Sequence, residues 1–185
     1  MTHPASPTPH AAVVTVTGWP TALPDGIRIH GLHVRTTWRP GETPRRVTVR
    51  AFPDTSPSGA LRRLYAPPAN IRPARRPNGT DVLVTGTLLK LDSSEGLIRV
   101  KIAPAVANTH PFTVTLQAST EVLRLDPGTF SVTVRGRVLN VGPGVLLAEQ
   151  IRSVHAPVPE RWQGVRAYTR RVSATPPAEP PAAAD

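Results

Sequence analysis

Val82-Leu83-Val84-Thr85-Gly86, near the middle of the 185-residue chain, is one of three copies of the pattern V-x-V-x-G. The others are Val14-Thr15-Val16-Thr17-Gly18 and Val132-Thr133-Val134-Arg135-Gly136. After each copy come a turn-rich gap, a second glycine (Gly26, Gly96, Gly144) and another apolar run: Ile27 to Val34, Leu97 to Ile102, Val145 to Ile151. Each unit reads as a β-hairpin, because apolar and polar residues alternate with the period of a strand and no long stretch holds a helical period. A glycine inside a strand weakens its pairing and supplies nothing to pack, so the glycine of each motif predicts a bulge or a sharp bend.

Working outward, two single strands fill the gaps, Arg46 to Phe52 and Phe112 to Gln117. Each precedes a segment that reads as a short helix, Ser58 to Tyr65 and Ser119 to Leu125. The expected order is hairpin, strand, helix, hairpin, strand, helix, hairpin, an all-β chain of eight strands. Residues 1–10 and 174–185 are poor in core-forming residues and read as disordered. The division that follows is a β-sheet over 11–56, a Pro/Arg-rich connection over 57–80, a barrel over 81–156 and an extension over 157–173. Trp162 and Tyr168 share that extension with four arginines, a mix that suits docking onto the barrel or widening a binding surface.

Hairpin, strand, helix, hairpin is the strand order of the OB-fold, and Asp81 to His155 resembles one compact copy of that five-stranded Greek-key barrel. Val132-Thr133-Val134-Arg135-Gly136-Arg137-Val138 is similar to the fourth strand of single-stranded-DNA-binding OB domains. The resemblance implies an oligonucleotide-binding, non-catalytic protein acting in DNA replication, recombination or repair. A competing division uses strands near 12–19, 27–38 and 46–52 and borrows the second hairpin, but it requires a long Pro-rich excursion from Pro53 to Thr80. Because eight strands fall short of two barrels, the N-terminal three are expected to form a partial OB-like sheet, packed on the barrel or paired with a second subunit. The Pro/Ala-rich tail resembles those of bacterial single-stranded-DNA-binding proteins but ends Ala182-Ala183-Ala184-Asp185, without their acidic, Phe-ended peptide.

Charge points the same way. Twenty-two Lys plus Arg against 12 Asp plus Glu give a formal +10, which calls for a polyanionic partner. Residues 1–80 hold 11 Arg against Asp25, Glu42 and Asp54, so the excess lies mainly outside the expected barrel. In the strand Arg46 to Phe52, alternation sets Val47, Val49 and Ala51 on one face and Arg46, Thr48, Arg50 and Phe52 on the other. Two guanidinium groups and a ring on one face suit backbone neutralisation and base stacking. Arg99 and Lys101 lie opposite Ile98, Val100 and Ile102, while Arg135 and Arg137 lie opposite Phe130, Val132 and Val134, giving a second candidate patch. Trp19 and Trp38 flank the first hairpin near Arg28, Arg35, Arg39 and Arg45 and are candidate stacking rings, worth about 1–3 kcal/mol per base. Arg62, Arg63, Arg72, Arg75 and Arg76 fall in the connection, where they suit a basic strap. Phe112 and Phe130 are assigned to the core.

Chemistry for catalysis is not visible. There is no phosphate-cradling glycine loop, and Gly142-Pro143-Gly144 reads as a hairpin turn. His30 and His33, three apart on an expected strand, face opposite sides and cannot share a metal. No cysteine is present, so disulfides and thiolate metal sites are excluded. Met1 to His10 lacks the pattern of a secretory signal, and no apolar run approaches a membrane span. The expectation is a cytoplasmic protein without cofactor or metal, holding single-stranded DNA or RNA, with homo-oligomerisation open. A β-rich interaction or assembly module is the rival reading.

Overall fold

A computed structural model describes residues 8–43, 45–104, 110–119, 122, 129–139 and 144–157. The calls of structure for Ser119–Leu125, Gly142–Pro143, the extension and the two chain ends fall wholly or mostly outside them. Twelve strands form one continuous sheet system: β1 (Ala11–Gly18), β2 (Pro20–Leu23), β3 (Gly26–Ile29), β4 (Leu32–Arg35), β5 (Val47–Thr55), β6 (Leu61–Tyr65), β7 (Ile71–Pro73), β8 (Gly79–Asp92), β9 (Leu97–Ile102), β10 (Phe112–Ala118), β11 (Ser131–Leu139) and β12 (Val145–Ser153).

The second half closes into a five-stranded barrel. β8 pairs β9, β9 pairs β10, β10 runs parallel to β12, β12 pairs β11, and β11 returns to β8. Val82, Val84, Ile98, Val100, Ile102, Val114, Leu116, Val132 and Val134 are all buried, among them five of the six residues (all but Phe130) that alternation set opposite the basic ones. Two of the three motif glycines, Gly86 and Gly136, act as backbone contacts. A Cβ on Gly136 would run into the carbonyl oxygen of Leu147, and the β11–β12 register slips between Arg135 and Gly136, the expected bulge. A Cβ on Gly86 would likewise meet the carbonyl of Lys101.

The first half departs from expectation in three places, each with a physical cause. Ile27 to Val34 is not one strand but a hairpin, because His30 and Gly31 both take positive φ (50° and 80°) and turn the chain between β3 and β4 in two residues. Ser58 to Tyr65 is not helical. Gly59, at φ 86°, turns the chain, and Leu61 and Leu64 face inward from β6 while Arg62, Arg63 and Tyr65 are exposed. The Pro-rich stretch beyond contributes β7, held to β5 by Val49↔Ile71, Thr48↔Arg72 and Val47↔Pro73. The expected three-stranded sheet therefore has seven strands, and Pro53 to Thr80 is not a strandless excursion.

Six of these strands, β1 to β6, repeat the order of the barrel. β2 pairs β3, β3 pairs β4, β4 runs parallel to β6, β6 pairs β5, and β5 returns to β1. Only Trp19 separates β1 from β2, so the chain itself closes the ring. β8 does unbroken what β1 and β2 do together: its first part pairs β11 and its second pairs β9. The halves join where β1 pairs β8 in antiparallel register, with Val14 opposite Val82. Each final hairpin also reaches the other half. Thr55 and Thr115 hydroxyls donate to the carbonyls of Thr113 and Ser58 across β5, its turn and β10, while Gly144 sits against Leu61 and Leu32. A single buried cluster runs through both halves.

Near the N-terminal end, buried His10 pins three segments. Its Nε2 lies 3.0 Å from the Ala156 carbonyl and its Nδ1 accepts from the Ala103 N–H at 3.1 Å. That pattern is the neutral imidazole with the proton on Nε2.

Candidate nucleic-acid interface

β5 bends around the first half and carries the surface of interest. Val47, Val49 and Ala51 are buried, whereas Arg50 and Phe52 are exposed, as the alternation predicted. Next to it, the segment after β6 makes a single 3₁₀ turn at Pro68–Asn70 and enters β7. Two hydrogen bonds tie this segment to β5: the Asn70 side-chain amide donates to the Arg50 carbonyl (3.1 Å) and the Ala74 N–H to the Arg46 carbonyl (3.0 Å). Cross-strand partners share a face, so Arg72 stands beside Thr48, and the anchored backbone delivers Arg75 and Arg76 to the same side.

The result is a basic groove lined by Thr48, Arg50, Asn70, Arg72, Arg75 and Arg76. It runs through Arg72 and Pro73 into a second hollow floored by Val47 and Ile71 and walled by Trp38, Glu42 and Arg45. Glu42 is the one carboxylate in either lining. None of Arg45, Arg50, Arg72, Arg75 and Arg76 is ion-paired with a described residue. Uncompensated guanidinium groups around a groove create a local positive potential, and their planar forks match phosphate oxygens.

Around the corner of β5, Phe52 pairs in register with Tyr65 on β6, and Tyr65 with Arg35 on β4. Arg35 and Tyr65 border a hollow with Asp25, Thr36 and Arg39. Asp25 is bridged by His33 at 3.0 Å.

Other expected residues lie elsewhere. Trp19 is exposed between β1 and β2 and lines none of these hollows; Arg28 is exposed on β3. Trp38 is half-buried against the core. Arg39 donates to the carbonyls of Thr36, Trp38 and Pro24, so its guanidinium braces the loop after β4. Arg46 is half-buried and Arg62 exposed. Arg63 is engaged by Asp54 at 2.6 Å and Arg137 by Glu149 at 3.0 Å. The second patch does not assemble, because β8 intervenes between β9 and β11. On β8 the partner of Lys101 is Thr87 and that of Arg135 is Leu83, four residues apart, roughly 13 Å along the strand. Lys101 is half-buried on β9, and burial lowers its pKa from the ordinary lysine value. Phe130, assigned to the core, is 66% exposed: it shares the parity of Val132 and Val134 but stands just before β11, which begins at Ser131.

Tyr65 and Asn70 were not among the expected site residues. A helical reading of Ser58–Tyr65 hid the ring, because Leu61 and Leu64 are three apart, a helical spacing, and yet both face inward from β6. His30 sits at a turn and His33 on β4, and among the described residues no group of three or more His, Asp or Glu could hold a metal. No described helix is long and apolar enough to cross a membrane.

No protein-family model, curated protein or solved structure matches this chain.

Proposed function

We propose that this protein binds a single strand of nucleic acid, DNA in the first instance, along the groove between β5 and β7, without catalysing its conversion. The observation that carries the reading is the convergence of Arg50, Arg72, Arg75 and Arg76 on one groove beside β5, none of them ion-paired with a described residue. Exposed rings next to the groove add the stacking surfaces that sequence-tolerant single-strand binders use. The strand orders β8-β9-β10-β12-β11 and β1/β2-β3-β4-β6-β5, each with a parallel pair between its third and last strands, are consistent with two OB-like Greek-key barrels, a fold whose surfaces accept oligonucleotides. A place in replication, recombination or repair follows from a binder of this type.

Titration of a fluorescent oligothymidylate at several salt concentrations tests it. Affinity should fall with salt, with a log–log slope reduced by roughly 0.7 for each of Arg50, Arg72, Arg75 and Arg76 replaced by Ala. Arg135→Ala and Arg137→Ala, on β11 of the other half, should leave affinity near wild type. Equal losses from both sets, or no binding at low salt with a stable oligomer in solution, would overturn the proposal, the latter in favour of an assembly module. A matching oligouridylate separates DNA from RNA.

A further inference from the structure

The exposed large apolar side chains among the described residues are Trp19, Phe52, Tyr65 and Phe130, and two of them stand side by side. Phe52 is 42% exposed and Tyr65 51%, and they are in-register partners on antiparallel strands, where Cβ atoms lie about 5 Å apart. Their inward neighbours Pro53 and Leu64 are buried, so the rings stand on a fixed floor. Two adjacent exposed rings are costly to keep in water and give the first half no packing it lacks, since Ala51, Leu61 and Leu64 already fill the core beneath. Cations flank them on both sides: Arg50, two residues before Phe52 on the same face of β5, and Arg35, the partner of Tyr65 on β4.

We infer that Phe52 and Tyr65 form a platform on which successive unpaired bases stack, with Arg50 and Arg35 holding the phosphates at its two ends. This rests on the groove reading above and extends it, giving a strand that leaves the Arg72–Arg76 side, passes Arg50 and crosses β5, β6 and β4 towards Arg35. The occupant is an unpaired nucleotide rather than an apolar peptide, because a guanidinium borders each end of the ring pair and the neighbouring Asp54 is neutralised by Arg63 at 2.6 Å. A sugar-phosphate chain can answer those charges while its bases cover the rings.

The test compares two probes on the full chain: oligothymidylate and an abasic deoxyribose-phosphate oligomer of the same length. Phe52→Leu with Tyr65→Leu keeps an apolar surface and removes both π faces, and unchanged melting confirms that the fold survives. The double variant should lose roughly 10- to 100-fold in affinity for oligothymidylate and little for the abasic chain. Arg72→Glu with Arg75→Glu and Arg76→Glu should weaken both probes. Equal affinity of wild type and the double variant for oligothymidylate, or parallel losses on both probes, would overturn the platform while leaving the groove standing. Wild-type indifference to both probes would instead overturn the groove reading.

Discussion

Val14 on β1 lies directly opposite Val82 on β8, and the same shift along the sequence that carries Val14 onto Val82 carries Thr17 onto Thr85. The Thr17 hydroxyl hydrogen-bonds that of Thr48 on β5 at 3.0 Å, and the Thr85 hydroxyl that of Thr133 on β11 at 2.9 Å. Val47-Thr48-Val49-Arg50-Ala51 thus occupies in the first half the place that Val132-Thr133-Val134-Arg135-Gly136 occupies in the second. The two halves are built alike about the Val14–Val82 pair, yet their surfaces differ: Arg72, Arg75 and Arg76 and the ring pair belong to the first half alone.

Equivalent places should cost alike. Thr48→Val and Thr133→Val each leave the buried hydroxyl of Thr17 or Thr85 without its partner and should each lower stability by about 1 kcal/mol in urea unfolding. Thr17→Val combined with Thr48→Val should cost less than the two singles together, since both polar groups are then gone. A loss confined to one half would show that the halves are not equivalent.

Gly136→Ala should destabilise by roughly 1–3 kcal/mol, because the new methyl meets the Leu147 carbonyl at the bulge. Gly41→Ala, whose methyl would meet nothing within 4 Å, should stay within about 0.5 kcal/mol of wild type. Denaturant midpoints measured side by side check the pair, and equal midpoints would remove the bulge argument.

The bulge also shows how much was readable beforehand. V-x-V-x-G located β1, β8 and β11, and the role of Gly86 and Gly136, because close backbone approach leaves no room for a side chain there, and strict alternation located the faces of Val47–Phe52 and Ile98–Ile102. The repetition of V-T-V-R at 47–50 and 132–135 was a signal for two similar halves, but β3 and β4 are four-residue strands joined at His30–Gly31, and reading Ile27 to Val34 as one run concealed them. β7, with only Ile71 to bury, has no periodicity to detect. The groove depends on Asn70 and Ala74 clamping that segment to β5, a long-range contact that local pattern does not encode.

His10→Ala should cost about 1–3 kcal/mol, chiefly for the Ala103 N–H that it leaves buried and unpaired, since the Ala156 carbonyl still accepts from the Ser131 hydroxyl at 2.9 Å. Hydrogen exchange should report the loss first at Ala103. Unchanged protection there would mean that the imidazole is not the partner of that amide.

Asp92 accepts hydrogen bonds from the Lys90 ammonium, the Ser94 hydroxyl and backbone N–H, and the Glu95 N–H, which together hold its pKa well below the ordinary carboxylate value of 3.8. Because the folded value is the lower one, the stabilisation is fully present above the ordinary carboxylate pKa and is lost as pH falls through the folded value. A carbon-13 titration of the side-chain carboxyl should find it still ionised at pH 3.8, and a midpoint there would contradict the turn's hydrogen bonding.

The most direct test of the central claim is photo-cross-linking of 4-thiothymidine-containing oligothymidylate to the intact protein, with the attached residues located by mass spectrometry. The account predicts adducts in peptides spanning 38–76, among them Trp38, Phe52 and Tyr65. Adducts confined to β9 and β11 to β12, or scattered without preference over both halves, would contradict it.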